Sequence, residues 1–266
     1  MTSHDFFQVD AFTDQPFAGN PAAVMMLDAW LPDDVLAKIA AEHNLAETAY
    51  LVKRGEGHYD LRWFTPAAEV PLCGHATLAS AHVLYTELGE TSERLTFETK
   101  SGPLHVERRD SSYTLDLPAD PPGPVELHPA VGAALGAEPL ELYAGRLFLL
   151  AVYGTEEEVR GLTPNLAAIE KLSEVVPSDE VCVTARGQDI DFVSRLFAPS
   201  IGIPEDPFTG STHAMLTPFW AERLGKTELT AHQASARGGD AVCYSSGDRV
   251  LLLGNAVTMI RGKISF

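Results

Sequence analysis

The amino-acid sequence predicts an α+β protein made of two similar domains, each a curved sheet wrapped around one buried helix. A glycine turn that opens an apolar helical stretch occurs twice, with Gly74 and Gly210 lying 136 positions apart. The dipeptides that close the two stretches, Leu88-Gly89 and Leu224-Gly225, are also 136 positions apart. Both stretches carry Ala, Leu, Val and Met on nearly all sides, which is typical of a helix buried all round.

The duplication extends upstream of the glycine turns at a slightly smaller offset. An offset of 133 pairs Glu47 with Glu180, Arg62 with Arg195, Phe64 with Phe197, and Pro66 with Pro199. The second copy therefore carries three extra residues between this proline and the glycine turn. A chain of 266 residues can form one large domain or two of modest size. A repeat of half the chain predicts two similar domains rather than a solenoid.

The domain boundary is predicted at residues 118–124, where four prolines and a glycine in seven residues exclude a helix or an interior strand. The first domain is then 1–117 and the second 125–254, and a last strand around 257–266 is available to complete the first domain. Each copy is predicted to run strand, helix, strand, strand, glycine turn, helix, hairpin. The first helix spans 33–42, with its repeat at 165–174, and the buried helices span 75–87 and 211–223.

Composition and charge exclude several function classes. The net charge of −18 and the pI near 4.8 disfavour binding to nucleic acid or to anionic membranes. Three scattered cysteines are too few for a disulfide framework. The first residues show no basic segment followed by an apolar one, and no apolar run is long enough to span a bilayer. These observations predict a cytoplasmic protein.

The two helix starts predict an anion site. A glycine turn that opens a helix leaves backbone N–H groups unpaired at the positive end of the helix dipole. One such start is a weak anion site, whereas two from two copies of one unit predict a paired cradle for a small acidic molecule. The residues expected around this cradle are Cys73, His75, Asp206, Thr209 and Ser211.

Other common sites are not indicated by the sequence. The nine histidines lack the i, i+4 spacing of a helical zinc site, and Cys73 and His75 have no second cysteine pair to complete one. Glycine-rich dinucleotide and phosphate loops and the hydrolase nucleophile motif are also absent. We therefore expect neither a metal nor a nucleotide cofactor.

Glu47 is the first candidate for acid/base chemistry. It follows an amphipathic helix and lies in Leu45-Ala46-Glu47-Thr48-Ala49-Tyr50, a stretch that is otherwise apolar or small. A carboxylate in such surroundings is poorly solvated, which disfavours its charged form and suits it to proton transfer. The alternatives are a solvated residue that follows a helix and a structural partner of Thr48.

Three further candidates each have a structural alternative. His75 can hydrogen-bond a ligand at the helix start, or serve as a capping or core histidine. Asp206 can act on a substrate, or simply form a turn, since Asp-Pro favours turns. Ser211 can bind an anion or act as a helix N-cap.

Taken together, these segments resemble the phenazine-biosynthesis isomerase (PhzF-like) family. The matching segments are Val9-Asp10-Ala11-Phe12-Thr13, Pro16-Phe17-Ala18-Gly19-Asn20-Pro21-Ala22-Ala23-Val24, Asn44-Leu45-Ala46-Glu47-Thr48-Ala49-Tyr50, Leu61-Arg62-Trp63-Phe64-Thr65-Pro66 with Glu69, Cys73-Gly74-His75-Ala76-Thr77-Leu78, and Asp206-Pro207-Phe208-Thr209-Gly210-Ser211. They follow the family's order from about Phe7 to Gly225, and their combination is highly specific. The resemblance implies the fold of the diaminopimelate epimerases, in which two pseudo-symmetric domains hold the site in the cleft between them.

The resemblance also implies roles for particular residues. Glu47 would shuttle a proton between carbons of the substrate, while His75 and Asp206 position the substrate and assist. Ser211, with the backbone of Gly74 and Gly210, would bind a substrate carboxylate. Gln233 matches a residue that helps to close the pocket, as does Arg237, but Ala234 and Gly238-Gly239 depart from the family's pattern. The family works without a cofactor, and homodimers are common in it.

Cys73 leaves a second chemistry open. Epimerases of this fold use two opposed cysteines as bases, one at each helix start. Here the repeat partner of Cys73 is Thr209, whose hydroxyl is too weak an acid to be a second base. We therefore expect a cofactor-independent isomerase that shifts a proton within a small carboxylate-bearing molecule, with a cyclic, amino-substituted compound as one candidate. The alternatives are an epimerase or racemase that uses Cys73 with another partner, and a binding module that has lost turnover.

Overall fold

The computed structural model describes residues 2–266 and divides into two compact units. The N unit consists of residues 2–116 together with Leu252–Phe266, and the C unit is Leu117–Leu251. Both units contain helices and mixed sheets, which confirms the predicted α+β class. Within residues 2–266, the helices are all too short or too polar to cross a bilayer.

The elements of the first half follow the predicted order. They are β1 Ser3–Ala11, β2 Asn20–Leu27, α1 Asp33–His43, β3 Glu47–Gly55, β4 His58–Phe64, β5 Glu69–Val70, α2 Gly74–Thr86, β6 Arg94–Thr99, β7 Gly102–Arg109 and β8 Ser112–Pro118.

The second half repeats this order with additional short elements. They are β9 Gly123–Val125, α3 Pro129–Leu135, β10 Glu141–Ala144, β11 Leu149–Val152, α4 Glu156–Gly161, α5 Leu166–Ile169, β12 Val181–Arg186, β13 Phe192–Ala198, β14 Ile203–Asp206, α6 Gly210–Leu224, β15 Glu228–Gln233, β16 Gly239–Ser246, β17 Arg249–Gly254 and β18 Ala256–Ser265.

The N unit is a mixed sheet around helix α2. Strand β1 pairs antiparallel with both β18 and β2, β2 runs parallel to β3, and β3 is antiparallel to β4. Beyond β4 the sheet continues through a parallel β6 and the hairpin of β7 and β8. All residues of α2 from His75 to Tyr85 are buried, so this helix is apolar all round because the sheet surrounds it.

The C unit repeats this arrangement around α6. Strand β11 runs parallel to β12, β12 is antiparallel to β13, and β13 continues to a parallel β15 that pairs with β16. Helix α6 contains Pro218, which has no N–H to donate to the carbonyl of Ala214. The backbone N–H of Asp120 donates to that carbonyl instead, at 3.0 Å, so the proline leaves no orphaned group there.

The repeat extends to matching side-chain clusters. Arg62 forms a two-pronged ion pair with Glu69 and stacks over Phe64, with 5.1 Å from guanidinium carbon to ring centroid. Arg195 does the same with Glu205 and Phe197, at 4.9 Å. The three extra residues of the second copy lie between Pro199 and Glu205, in a 3₁₀ turn that ends at Gly202 with φ +83°.

One local prediction was wrong. The helix expected at 165–174 is broken into α5 and a 3₁₀ turn, Leu172–Glu174, and this break allows Ile169 and Leu172 to enter one apolar core.

The proline-rich segment 118–124 contains no helix and only short pieces of strand. Strand β8 ends at Pro118, and the three-residue β9 pairs with β10. Proline is tolerated at such strand ends and in short edge strands because few ladder hydrogen bonds are required there.

Candidate functional site

Four polar residues of the N unit lie together at one edge of its sheet. Three of them, Glu47, Cys73 and His75, are candidates from the sequence, and the fourth is Asn20. Asn20 begins β2 and Glu47 begins β3, and these parallel strands are in register with Ala22 opposite Glu47. Cys73 is the N-cap of α2, and His75 is the second residue of that helix. All four side chains are buried, with Glu47 8% exposed and His75 5% exposed. The strand starts and the helix start therefore converge on one polar cluster within an apolar core.

His75 links the members of this cluster. Its Nε2 lies 2.8 Å from Oε2 of Glu47, and its Nδ1 lies 3.2 Å from the Asn20 amide and 3.6 Å from Cys73 Sγ. The contact with Glu47 is close enough for an ion pair but poorly aligned for a hydrogen bond. Among residues 2–266, no well-aligned hydrogen bond reaches Glu47 Oε2. This oxygen therefore retains a lone pair for another group.

Burial and neighbouring charges shift the pKa values of His75 and Cys73. Burial lowers the pKa of His75, but Cys73 and Glu47 outweigh it, so the pKa of this imidazole lies well above its usual value. Burial and then the charge of Glu47 raise the pKa of the Cys73 thiol, despite the opposing effect of His75. Glu47 raises both pKa values whichever state the thiol is in, so the directions that we adopt are a raised pKa for the His75 imidazole and a raised pKa for the Cys73 thiol.

The same three side chains have to be considered as a metal site. Glu47, Cys73 and His75 each offer a ligand atom, and these atoms lie within 4.8 Å of one another. The sequence search for metal ligands overlooked this set because Glu47 is remote from the other two in the chain. Nitrogen and oxygen ligands of one tetrahedral zinc are about 3.3 Å apart, whereas Nε2 and Oε2 are 2.8 Å apart here. The spacing fits a direct ion pair between Glu47 and His75 better than two ligands of one metal ion.

The C unit contributes a turn at the start of α6. Asp206 ends β14 and is 8% exposed, and Thr209 is the N-cap of the helix. The Thr209 hydroxyl donates a hydrogen bond to Oδ2 of Asp206. The structure therefore brings Asp206 and Thr209 together, as the sequence had placed them around one helix start.

Two residues of the C unit have different positions from those expected. Gln233 was predicted to bind substrate, but it is fully buried and its amide hydrogen bonds are made to Asp206 and Thr209. Ser211 is not the N-cap, because Thr209 has the extended backbone of the cap position and Ser211 is the second helical residue. Ser211 is half-buried, and its role in anion binding stays a prediction.

His213 is a residue that sequence reasoning missed. It is fully buried, its Nδ1 donates to the carbonyl of Thr209 at 2.8 Å, and its ring stacks on Phe208. Burial lowers its pKa to about 4, so the ring is neutral at pH 7. The offset of 136 pairs His213 with Thr77, whose hydroxyl donates to the Cys73 carbonyl at 2.6 Å. Applying the repeat to every polar residue of the helices would have found it.

This fold recurs in solved structures. A crystal structure of a phenazine biosynthesis protein of the PhzF family from Enterococcus faecalis superimposes with a TM-score of 0.95, is 44% identical, and matches 100% of both chains. A probable proline racemase from Agrobacterium radiobacter, at 12% identity and a TM-score of 0.64, shares the fold alone. The chain thus has the fold of a class that includes isomerases and racemases, as predicted.

The family itself is defined by sequence. The family described as phenazine biosynthesis-like protein matches residues 9–262. A Pseudomonas aeruginosa protein named as an uncharacterized isomerase is 50% identical over 260 residues, which is 98% of each chain. The protein belongs to the phenazine biosynthesis-like protein family. The predicted family and its isomerase class are confirmed.

Proposed function

We propose that this protein is a cofactor-independent isomerase that moves a proton within a small carboxylate-bearing substrate. The observation that carries the proposal is the buried Glu47–His75 pair, in which one carboxylate oxygen has no well-aligned hydrogen bond among residues 2–266. Glu47 takes the proton from a substrate carbon, and the electron pair left behind moves into the adjacent unsaturated system. The protonated Glu47 then returns the proton to another carbon. The step is redox-neutral, so it needs no electron acceptor.

His75 supports this cycle from the start of α2. Its Nε2 lies 2.8 Å from Oε2 of Glu47, so the imidazole limits the orientations of the carboxylate that acts as the base. It also lies beside the first backbone N–H groups of the helix, which the N-cap Cys73 does not satisfy with its side chain. The N-cap of α6, Thr209, likewise makes no capping hydrogen bond. Both helix starts therefore keep donors for a carboxylate, with Gly74, Gly210 and Ser211 as the binding residues.

Asp206 assists the proton transfer from the second helix start in this proposal. It is mostly buried and hydrogen-bonded through Thr209, which limits the orientations of its carboxylate. An oriented carboxylate can hold a substrate hydroxyl or amino group beside the reacting carbons. The proposal thus assigns proton transfer to Glu47, and substrate orientation to His75 and Asp206.

The alternative with a specific observation in its favour is a thiol epimerase. Cys73 Sγ lies 3.6 Å and 3.9 Å from the two ring nitrogens of His75, a spacing that a thiol–imidazole base would have. The raised pKa of Cys73 argues against a thiolate, and its repeat partner Thr209 uses its hydroxyl on Asp206. A binding module without turnover is the other alternative.

Deuterium incorporation from D₂O, followed by NMR, separates the three functions. The probes are L-proline, 2-aminobenzoate, itaconate and a set of unsaturated cyclic amino acids, selected first by thermal shift. Glu47→Gln keeps the shape of the side chain and removes the base. We expect it to reduce exchange by ~100-fold or more and to leave thermal-shift affinity within a few-fold, while Cys73→Ser stays close to wild type.

The other functions predict different outcomes of the same measurement. A thiol epimerase loses exchange in Cys73→Ser and retains it in Glu47→Gln. A binding module shows no exchange in the wild type with any probe that it binds. Full exchange by Glu47→Gln overturns the proposed function.

A further inference from the structure

We propose that Gln233 and Thr209 are positioning residues that fix the Asp206 carboxylate for the proton transfer. The inference rests on the proposed function, since it deepens the role of Asp206 in that reaction. The buried Gln233 amide makes three hydrogen bonds, all of them to Asp206 and Thr209.

The orientation of the Gln233 amide is determined by its neighbours. Its Oε1 accepts the backbone N–H of Thr209 at 2.9 Å, and its Nε2 donates to the carbonyl of Asp206 at 2.8 Å. A flipped amide would place an NH₂ against the Thr209 N–H and an oxygen against the Asp206 carbonyl. Both contacts would be repulsive in a site without water exposure, because Gln233 is fully buried.

This orientation determines the direction of the Thr209 hydroxyl. The second N–H of Gln233 Nε2 points at Thr209 Oγ1, 3.2 Å away. Since the hydroxyl oxygen accepts there, its own proton is directed to Oδ2 of Asp206, with which it forms a hydrogen bond. A chain of donors therefore runs from Gln233 through Thr209 to one oxygen of the carboxylate. The chain of hydrogen bonds therefore holds the Asp206 carboxylate in one orientation.

The N unit has no equivalent of this device at its own helix start. At the corresponding position the N-cap is Cys73, whose carbonyl is held by Thr77, as the Thr209 carbonyl is held by His213. The side chain of Glu47 instead leaves Oε2 without a well-aligned hydrogen bond among residues 2–266. The carboxylates near the two helix starts are thus held differently: Glu47 contacts an imidazole without a well-aligned hydrogen bond, whereas Asp206 accepts one from the Thr209 hydroxyl.

Matched variants test the chain of hydrogen bonds that runs from Gln233 through Thr209 to Asp206. Thr209→Val removes the hydroxyl at constant shape, and Thr209→Ser keeps it. Gln233→Met removes all three hydrogen bonds at similar volume, and Gln233→Glu retains the acceptor while turning the two donor contacts into oxygen–oxygen contacts. We expect Thr209→Val, Gln233→Met and Gln233→Glu to lower kcat by ~10- to 100-fold, as displaced catalytic groups do, with KM changed less than about threefold.

A conservative control variant and a double variant distinguish a loss of positioning from general damage to the fold. Thr209→Ser is expected to keep kcat within about twofold of wild type. The double variant Gln233→Met with Thr209→Val should have a kcat at most about twofold lower than that of the slower single variant, because both changes break the same chain of hydrogen bonds. The rate is measured by deuterium incorporation into whichever member of the probe set exchanges fastest. Independently of any probe, the Thr209 amide is expected to exchange ~10-fold faster or more in Gln233→Met than in wild type.

Three results overturn the inference. They are wild-type kcat in Thr209→Val, a loss in Thr209→Ser as large as in Thr209→Val, and unchanged protection of the Thr209 amide in Gln233→Met. If these occur while Glu47→Gln remains inactive, only the positioning chain is wrong. If Glu47→Gln and Asp206→Asn both exchange at the wild-type rate, the proposed function itself has failed.

Discussion

At the residue scale, the two histidines at the helix starts have opposite protonation for one physical reason. His75 is buried beside Cys73 and Glu47, which together raise its pKa, whereas His213 is buried among aromatic rings and a carbonyl, and burial lowers its pKa to about 4. Burial alone disfavours the charged ring, and only a charged partner reverses this. The same residue type at neighbouring positions of a repeated helix can therefore supply a charge in one copy and a neutral structural ring in the other.

The neutral state of His213 predicts a loss of stability in mild acid. Its pKa is about 4 in the folded protein and ~6.5 in the unfolded chain. The unfolded chain therefore binds an additional proton as the pH falls below about 6.5, so stability that is present at pH 7 is lost down to about pH 4. This group alone contributes a decrease of about 2 to 3 kcal/mol between pH 7 and pH 4.5.

The variant His213→Thr tests this loss of stability while keeping a hydrogen-bond donor for the N-cap carbonyl. Threonine at the same helical position already bonds the N-cap carbonyl in the other repeat, at Thr77. Urea unfolding at the two pH values gives the change in the free energy of unfolding for each protein. The difference between the pH values should shrink in His213→Thr by about 2 kcal/mol. An equal pH dependence in both proteins would show that His213 is protonated before the protein unfolds.

At the element scale, the arginines of β4 and β13 show how the repeat was modified. Both form two-pronged pairs with a glutamate, and each makes further contacts with a helix end. Arg62 donates to the exposed carboxylate of Asp33 at the start of α1. Arg195 donates instead to the carbonyls of Val159 and Leu162 at the end of α4. The inserted 3₁₀ turn of the second copy lies just before Glu205 and leaves the pair intact. One side chain thus connects a strand, its neighbouring loop and a helix end.

Arg195→Lys should therefore cost more than Arg62→Lys. Lysine cannot form the planar fork to a carboxylate, so each variant loses about 1 kcal/mol from its ion pair. In Arg195→Lys two helix-end carbonyls lose a donor as well, which adds about 1 to 2 kcal/mol. Chemical denaturation of the two variants beside wild type measures the difference. Equal losses would contradict the assigned role of Arg195 at α4.

The sequence was informative about those elements and residues whose environment is local. The buried helices were predictable because their composition is apolar on all sides, and Glu47 because its neighbours in sequence are apolar. The break between α5 and the 3₁₀ turn could not be predicted, because residues 166–174 have the composition of an ordinary helix. Only packing in the core determines that Ile169 and Leu172 face inwards. The hydrogen bonds of Gln233 could not be predicted, because its partners Asp206 and Thr209 are remote in sequence and meet it only in the folded sheet.

At the scale of the whole molecule, the chain ends within the unit in which it begins. Strand β18 pairs with β1 from Ala256 opposite Ala11 to Ser265 opposite Ser3. It also reaches α2, where the hydroxyl of Thr258 lies 2.9 Å from His82 Nε2 and Arg261 forms a two-pronged pair with Glu87. The strand is therefore part of the surroundings of the helix whose start carries His75.

Removing this strand should abolish the site without touching any of its residues. A chain that ends at Asn255 exposes the edge of β1 and one side of α2, and is expected to lose cooperative unfolding of the N unit together with all deuterium exchange. A chain that ends at Gly262 keeps the pairs from Phe6 to Ala11 and serves as the control, with a Tm lowered by only a few degrees. Activity in the shorter chain would show that β18 is dispensable.

The position of β18 has a consequence for the order of folding. The C unit is continuous in sequence, from Leu117 to Leu251, whereas the N unit joins two segments that flank it. The pairing of β1 with β18 brings together Ala11 and Ala256, which lie 245 positions apart. Because contacts between such distant residues form slowly, we expect the surroundings of Glu47 and His75 to be completed after the core of the C unit.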